Sequence, residues 1–127
     1  LVPEQRQFSD EQIKIIIERD GVMGASFDNW MLEPGYTIGQ SNETIFMDRV
    51  VDHIDHVCQL AGNARHAAIG TDLDGGFGRE QSPYDLDTIA DLQQIPEKLS
   101  SRGYSEADIK DIMYGNWLRL LHTAWDT

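Results

Sequence analysis

Two short apolar runs do most to limit what this chain can fold into. Residues 22–27 lie between Gly21 and Asp28, and residues 66–71 lead straight into Asp72. Each is too short for a core helix, and each suits a strand buried on both faces. The sequence around them has the helical period instead. Ser9-Asp10-Glu11-Gln12 is a capping box, with Ile13, Ile16 and Ile17 following at helical spacing as far as Asp20-Gly21. Residues 42–61 carry an apolar stripe of Met47, Val50, Ile54, Val57, Cys58 and Ala61, stopped by Gly62-Asn63. Residues 86–101 read as helical with a break or a restart at Pro96, and Ser105-Glu106-Ala107-Asp108 opens a last helix. Residues 28–42 form an irregular stretch whose length suits a lid or binding loop.

The order helix, strand, helix, strand, helix, helix predicts an α/β fold with parallel strands and helices outside them. Two strands are too few for an independently stable sheet. The chain is therefore expected to be part of a larger sheet whose other strands come from elsewhere.

Composition narrows the partners. The 127 residues carry a formal net charge of -12, which argues against nucleic acid because phosphate binding needs clustered Lys and Arg. No apolar run approaches the roughly 20 residues a membrane span needs. No basic stretch followed by an apolar run opens the sequence, so no signal peptide is expected within it. Cys58 is the single cysteine, which excludes an internal disulfide and suits a small buried hydrophobe.

Asp72 is the main candidate for chemistry. It follows an apolar strand and precedes Gly75-Gly76. Acids at the carboxyl end of such a strand face the active site in α/β sheets and barrels, where a carboxylate can take up and return a proton. The competing reading is that Asp72 or Asp74 merely caps a turn. His53 and His56 share a helix face at a spacing that could hold a metal, but they share it with Arg49 and Asp52, which suggests a solvated surface. His66 at a strand start and His122 in a last helical turn read as structural. Trp30, Met31 and Tyr36 either line a pocket or pack their loop.

Four segments together resemble the membrane dipeptidase family of zinc peptidases. They are Gln5-Arg6-Gln7-Phe8-Ser9-Asp10, Val50 to His56 with Ala61-Gly62, Ile69-Gly70-Thr71-Asp72-Leu73-Asp74-Gly75, and Gly115-Asn116-Trp117-Leu118-Arg119. Order and spacing both fit, nearly end to end. The resemblance implies a partial (β/α)8 TIM-type barrel, with residues 1–127 holding the last two strands and their flanking helices as the C-terminal part of one domain. It implies a parent enzyme that hydrolyses dipeptides with a water bridging two zinc ions. Asp72 would be the proton shuttle. Arg6 would hold the dipeptide's C-terminal carboxylate, a task suited to its bidentate fork. The family's metal ligands all precede this segment, so no residue here is assigned to metal and the fragment alone is expected to be inactive. The expected partners are a dipeptide substrate and further copies of the chain in a homo-oligomer.

Two rivals remain on the residues alone. Asp72-Leu73-Asp74-Gly75 imitates the nucleophile motif of a haloacid-dehalogenase-like phosphatase, but that motif normally opens its fold, with further acid and lysine motifs after it. Asp72-x-Asp74 also begins like a calcium-binding loop, as in a non-catalytic binding module. There the sixth position, Phe77, should be glycine, and the twelfth, Pro83, should be glutamate.

Overall fold

The computed structural model describes residues 1–126. Its main elements are α1 (Asp10–Glu18), β1 (Met23–Ala25), α2 (Asn29–Leu32), α3 (Asp48–Ala61), β2 (Ala67–Ile69), α4 (Gln94–Ser101), α5 (Glu106–Lys110) and α6 (Asn116–Trp125). The strands are parallel, with Met23 opposite Ala67, Gly24 opposite Ala68 and Ala25 opposite Ile69. Both strands are shorter than the apolar runs that carry them. Backbone bonds nevertheless extend the contact at each end, from Met23 N to His66 O (2.7 Å) and from Phe27 N to Thr71 O (3.0 Å).

Local chemistry sets the ends of the helices. The capping box at α1 forms in both directions, from Gln12 N to Ser9 Oγ (3.2 Å) and from Ser9 N to Gln12 Oε1 (2.9 Å). The helix expected from residue 42 begins only at Asp48. Residues 42–47 are drawn away to a distant loop. Asn42 Nδ2 donates to Ser82 O (2.8 Å), and Tyr84 N donates to Ile45 O (2.7 Å). Met47 N donates to Asp85 Oδ1 (2.8 Å), so a carboxylate 38 residues away supplies the bond that no local side chain gives.

The expected helix over residues 86–101 is instead a 3₁₀ turn, Ile89–Gln93, followed by α4. Pro96 lies in the first turn of α4, where its missing N–H costs nothing. The last helical rod runs from α5 into α6 through one π-helical turn, Asp111–Gly115. A Cβ on Gly115 would stand 2.7 Å from Asp111 Oδ1, so a larger residue there would displace the Asp111 side chain.

The core lies on one side of the strands. Phe27, Met47, Val50, Val51, Ile54 and Cys58 meet Ile95 and Leu99 of α4 and Ile112 of the last rod. The other side of the strand pair is nearly bare of side chains around Gly24 and Gly70. A Cβ on either glycine would stand 2.9 Å from the other's Cα, so the strands approach there too closely for any larger residue.

Candidate active site at the carboxyl ends of the strands

Because β1 and β2 are parallel, the loops that follow them leave from the same end of the sheet. Asp28 follows the first strand run and Asp72 the second. Asp72 has an exposed carboxylate and a left-handed backbone, with φ 59°; Asp74 has φ 68°. Aspartate tolerates that region better than most residues. The turn is built around the side chain. Gly75 N donates to Asp72 O (3.0 Å), and a Cβ on Gly75 would lie 2.4 Å from Asp72 Oδ1. Among the described residues, no hydrogen bond or ion pair engages the Asp72 carboxylate. It is free to meet a ligand, and its direction is set by its backbone.

A polar network joins the two loops. Asp28 Oδ1 accepts from Trp30 N (3.1 Å) and from Gln81 Nε2 (2.8 Å). Asn29, fully buried, donates from Nδ2 to Ser82 O (2.8 Å). Tyr36 is buried, and its hydroxyl donates to Glu80 O (3.3 Å), so it packs its loop onto the one that follows β2. The sequence reading missed this network, although Asp28-Asn29 directly after a buried strand was its visible signal.

Arg6 is exposed, with its guanidinium carbon 5.7 Å from the Trp30 ring centre. The neighbouring Gln7 Nε2 donates to Met31 O and ties this segment to α2. Arg6 and Met31 help to line a cavity of about 180 Å³ beside β1. Asp72 is outside that lining, and among the described residues no hydrogen bond or ion pair joins it to Arg6.

The histidines are occupied separately. His53 Nε2 donates to Leu32 O (3.1 Å), and burial holds its pKa below the usual histidine value. It is more enclosed than the solvated face expected for it, because α2 folds back over that part of α3. His56 Nε2 donates to Asp10 Oδ1 (2.7 Å), and that hydrogen bond holds the Asp10 carboxyl below its usual value. His66 is buried and its Nδ1 donates to Gly21 O (2.8 Å). His122 is exposed, 3.9 Å from Asp126. Among the described residues, no three His, Cys, Asp or Glu side chains gather where a metal could bind. This donor set does not fit a metal centre of its own. Cys58 is buried, and burial raises its thiol pKa, leaving it an unreactive core group.

The arrangement is an α/β fold carrying an unpaired carboxylate at the carboxyl end of a strand. The chain belongs to the membrane dipeptidase family, peptidase family M19, whose model matches residues 1–127. It is 30% identical over 125 residues to an uncharacterized Klebsiella pneumoniae protein from the pqqA 5′ region, covering 98% of this chain and 43% of that one. It is 31% identical over 121 residues to dipeptidase aclJ of Aspergillus oryzae, covering 95% and 26%. Among solved structures, a Rhodobacter sphaeroides metallopeptidase liganded with a phosphinate mimic of L-Ala-D-Ala superposes with a TM-score of 0.82 at 26% identity, over 98% of this chain and 33% of that one. The metallopeptidase dipeptidase AC gives 0.83 at 25%, over 99% and 35%. The chain thus spans less than half the length of these relatives. Among its described residues, no helix is long and apolar enough to cross a membrane.

Proposed function

We propose that the chain is the C-terminal portion of a single (β/α)8 barrel domain in a zinc-dependent dipeptidase, with β1 and β2 as its last two strands. The observation that carries this is the Asp72 turn. An unpaired, exposed carboxylate follows the second strand, on a backbone shaped by Gly75, in a chain related to dipeptidases along nearly its whole length. Asp72 takes a proton from the attacking water and passes it to the leaving amine. Arg6, stacked on Trp30 and free of ion pairs among the described residues, binds the substrate's terminal carboxylate through a bidentate fork. The two zinc ions expected of the parent are held by residues outside this chain: His53, His56 and His66 are committed to Leu32, Asp10 and Gly21, and among the described residues no metal-binding group forms around the exposed His122.

The test is Asp72→Asn in the full-length enzyme. Zinc is expected to stay bound while dipeptide turnover falls by about 10²–10⁴-fold. Undiminished turnover removes the role from Asp72. Arg6→Ala is expected to raise KM for free dipeptides and to leave dipeptide amides nearly unchanged. The polypeptide 1–127 by itself is expected to retain no tightly bound zinc after dialysis. Metal analysis showing two ions per chain refutes that assignment.

A further inference from the structure

On the side of β2 that faces away from β1, two backbone carbonyls accept bonds from side chains. Residues alternate in direction along a parallel strand. His66 O and Gly70 N engage β1, at 2.7 Å and 3.1 Å, so Ala67 and Ile69 point the other way. Their carbonyls meet the last helical rod. Asn116 Nδ2 donates to Ala67 O (2.8 Å) and also to Ala64 O (2.7 Å). Trp117 Nε1 donates to Ile69 O (3.0 Å). Arg119 completes the set, with Nη1 donating to Asn116 Oδ1 (2.8 Å) and Nη2 to Arg65 O (2.7 Å). Asn116 is fully buried, and both its amide hydrogens and its oxygen are engaged. The Trp117 ring also reaches the bare glycine face, 3.2 Å from where a Cβ on Gly24 would stand. Three side chains from about one turn of helix thus hold the carbonyls of residues 64, 65, 67 and 69 and touch both strands.

We infer that Asn116, Trp117 and Arg119 are positioning residues for Asp72, an inference that rests on the proposed role of Asp72 as the proton-transfer group. The Asp72 carboxylate has no partner of its own among the described residues, so it is aimed by its backbone: the path of β2, the bond from Phe27 N to Thr71 O and the turn closed by Gly75 N. β2 is three residues long, and Ile69, its last, stands three before Asp72. Whatever fixes the Ile69 and Ala67 carbonyls fixes the direction from which Asp72 leaves the strand. A shift of about 1 Å in a reacting group lowers rates by up to about 10²-fold.

The experiment is a double-mutant cycle in the full-length zinc enzyme. Trp117→Phe keeps an aromatic side chain but removes the indole donor to Ile69 O together with part of the ring that packs near Gly24; Arg119→Lys is a second, independent loosening of the same clamp that leaves that ring in place. Each is expected to lower kcat for a dipeptide by about tenfold with KM unchanged. In the Asp72→Asn background, the further loss on adding Trp117→Phe is expected to vanish. A Trp117→Phe enzyme that melts earlier but keeps its kcat overturns the inference, since the clamp is then only structural. An equal loss with and without Asp72→Asn also overturns it, while leaving the base role intact. Turnover untouched by Asp72→Asn overturns the base role itself, and this inference with it.

Discussion

The two outer edges of the strand pair are finished in opposite ways. On the β2 side, buried Asn116, the Trp117 indole and the Arg119 fork satisfy backbone carbonyls with bonds of 2.7–3.0 Å. On the β1 side, Gly24 faces away from β2 and lines the cavity of about 180 Å³ among Phe8, Ile13, Met31 and Ile54. A parallel strand with an apolar, open edge is built to receive another strand. The side-chain clamp needs nothing from outside the described residues. Within the described residues, then, side chains occupy carbonyls on one flank of the strand pair, while the other flank is left open.

The largest expected effect tests the clamped side. Asn116→Ala leaves two buried carbonyls without donors, at a cost on the order of 2–4 kcal/mol. On the β1 side, Ser26→Ala removes one bond from Asp28 N and is expected to cost less than about 1 kcal/mol. Urea unfolding of both variants measures the difference, and equal losses would erase the contrast.

Next comes association. The open β1 edge and the exposed stripe of Tyr114, Leu118, Leu121 and Trp125 leave apolar surface uncovered in the polypeptide 1–127. Sedimentation velocity is expected to show self-association that rises with concentration. A strict monomer with a sharp, cooperative melt at high temperature would show that the β1 edge is not unfinished at all.

The smallest effect is pH dependence confined to the β1 side. Burial lowers the pKa of His53 in the folded chain, so the fold favours its neutral form. Stability from this group is fully present above the unfolded value near pH 6.5 and is lost as pH falls below it towards the folded pKa. Urea midpoints should therefore drop as pH falls below about 6.5, and His53→Gln should flatten that drop. Hydrogen exchange should place the loosening at β1 and α2. If the amides of β2 loosen first, the two sides are not separable in this way.

The sequence made some parts of this picture legible and hid others for physical reasons. The capping box at Ser9, the stop at Gly62 and the two strand runs depend on neighbours within a few residues, and local pattern reports such neighbours well. The start of α3 did not follow its local pattern, because Asp85 and Ser82 draw residues 42–47 into bonds across the chain. The enclosed setting of His53 was hidden in the same way, since α2 supplies Leu32 O from 21 residues away. Asp72 could be singled out because an acid after an apolar strand and before two glycines is a local signature. Arg6 drew notice only through the resemblance, and its seat over Trp30 depends on a loop more than twenty residues later.

By itself, then, the sequence determined the two strands, the longer helices, the α/β class, the family and the turn that presents Asp72, but not the short helix α2 or the 3₁₀ turn before α4. Each feature it determined depends on residue spacing and backbone preference over short stretches. Tertiary structure alone decided what the side chains of Asn116, Trp117 and Arg119 do. They satisfy carbonyls 48 to 54 residues away, and such pairings exist only once the strand edge and the helix have been brought together.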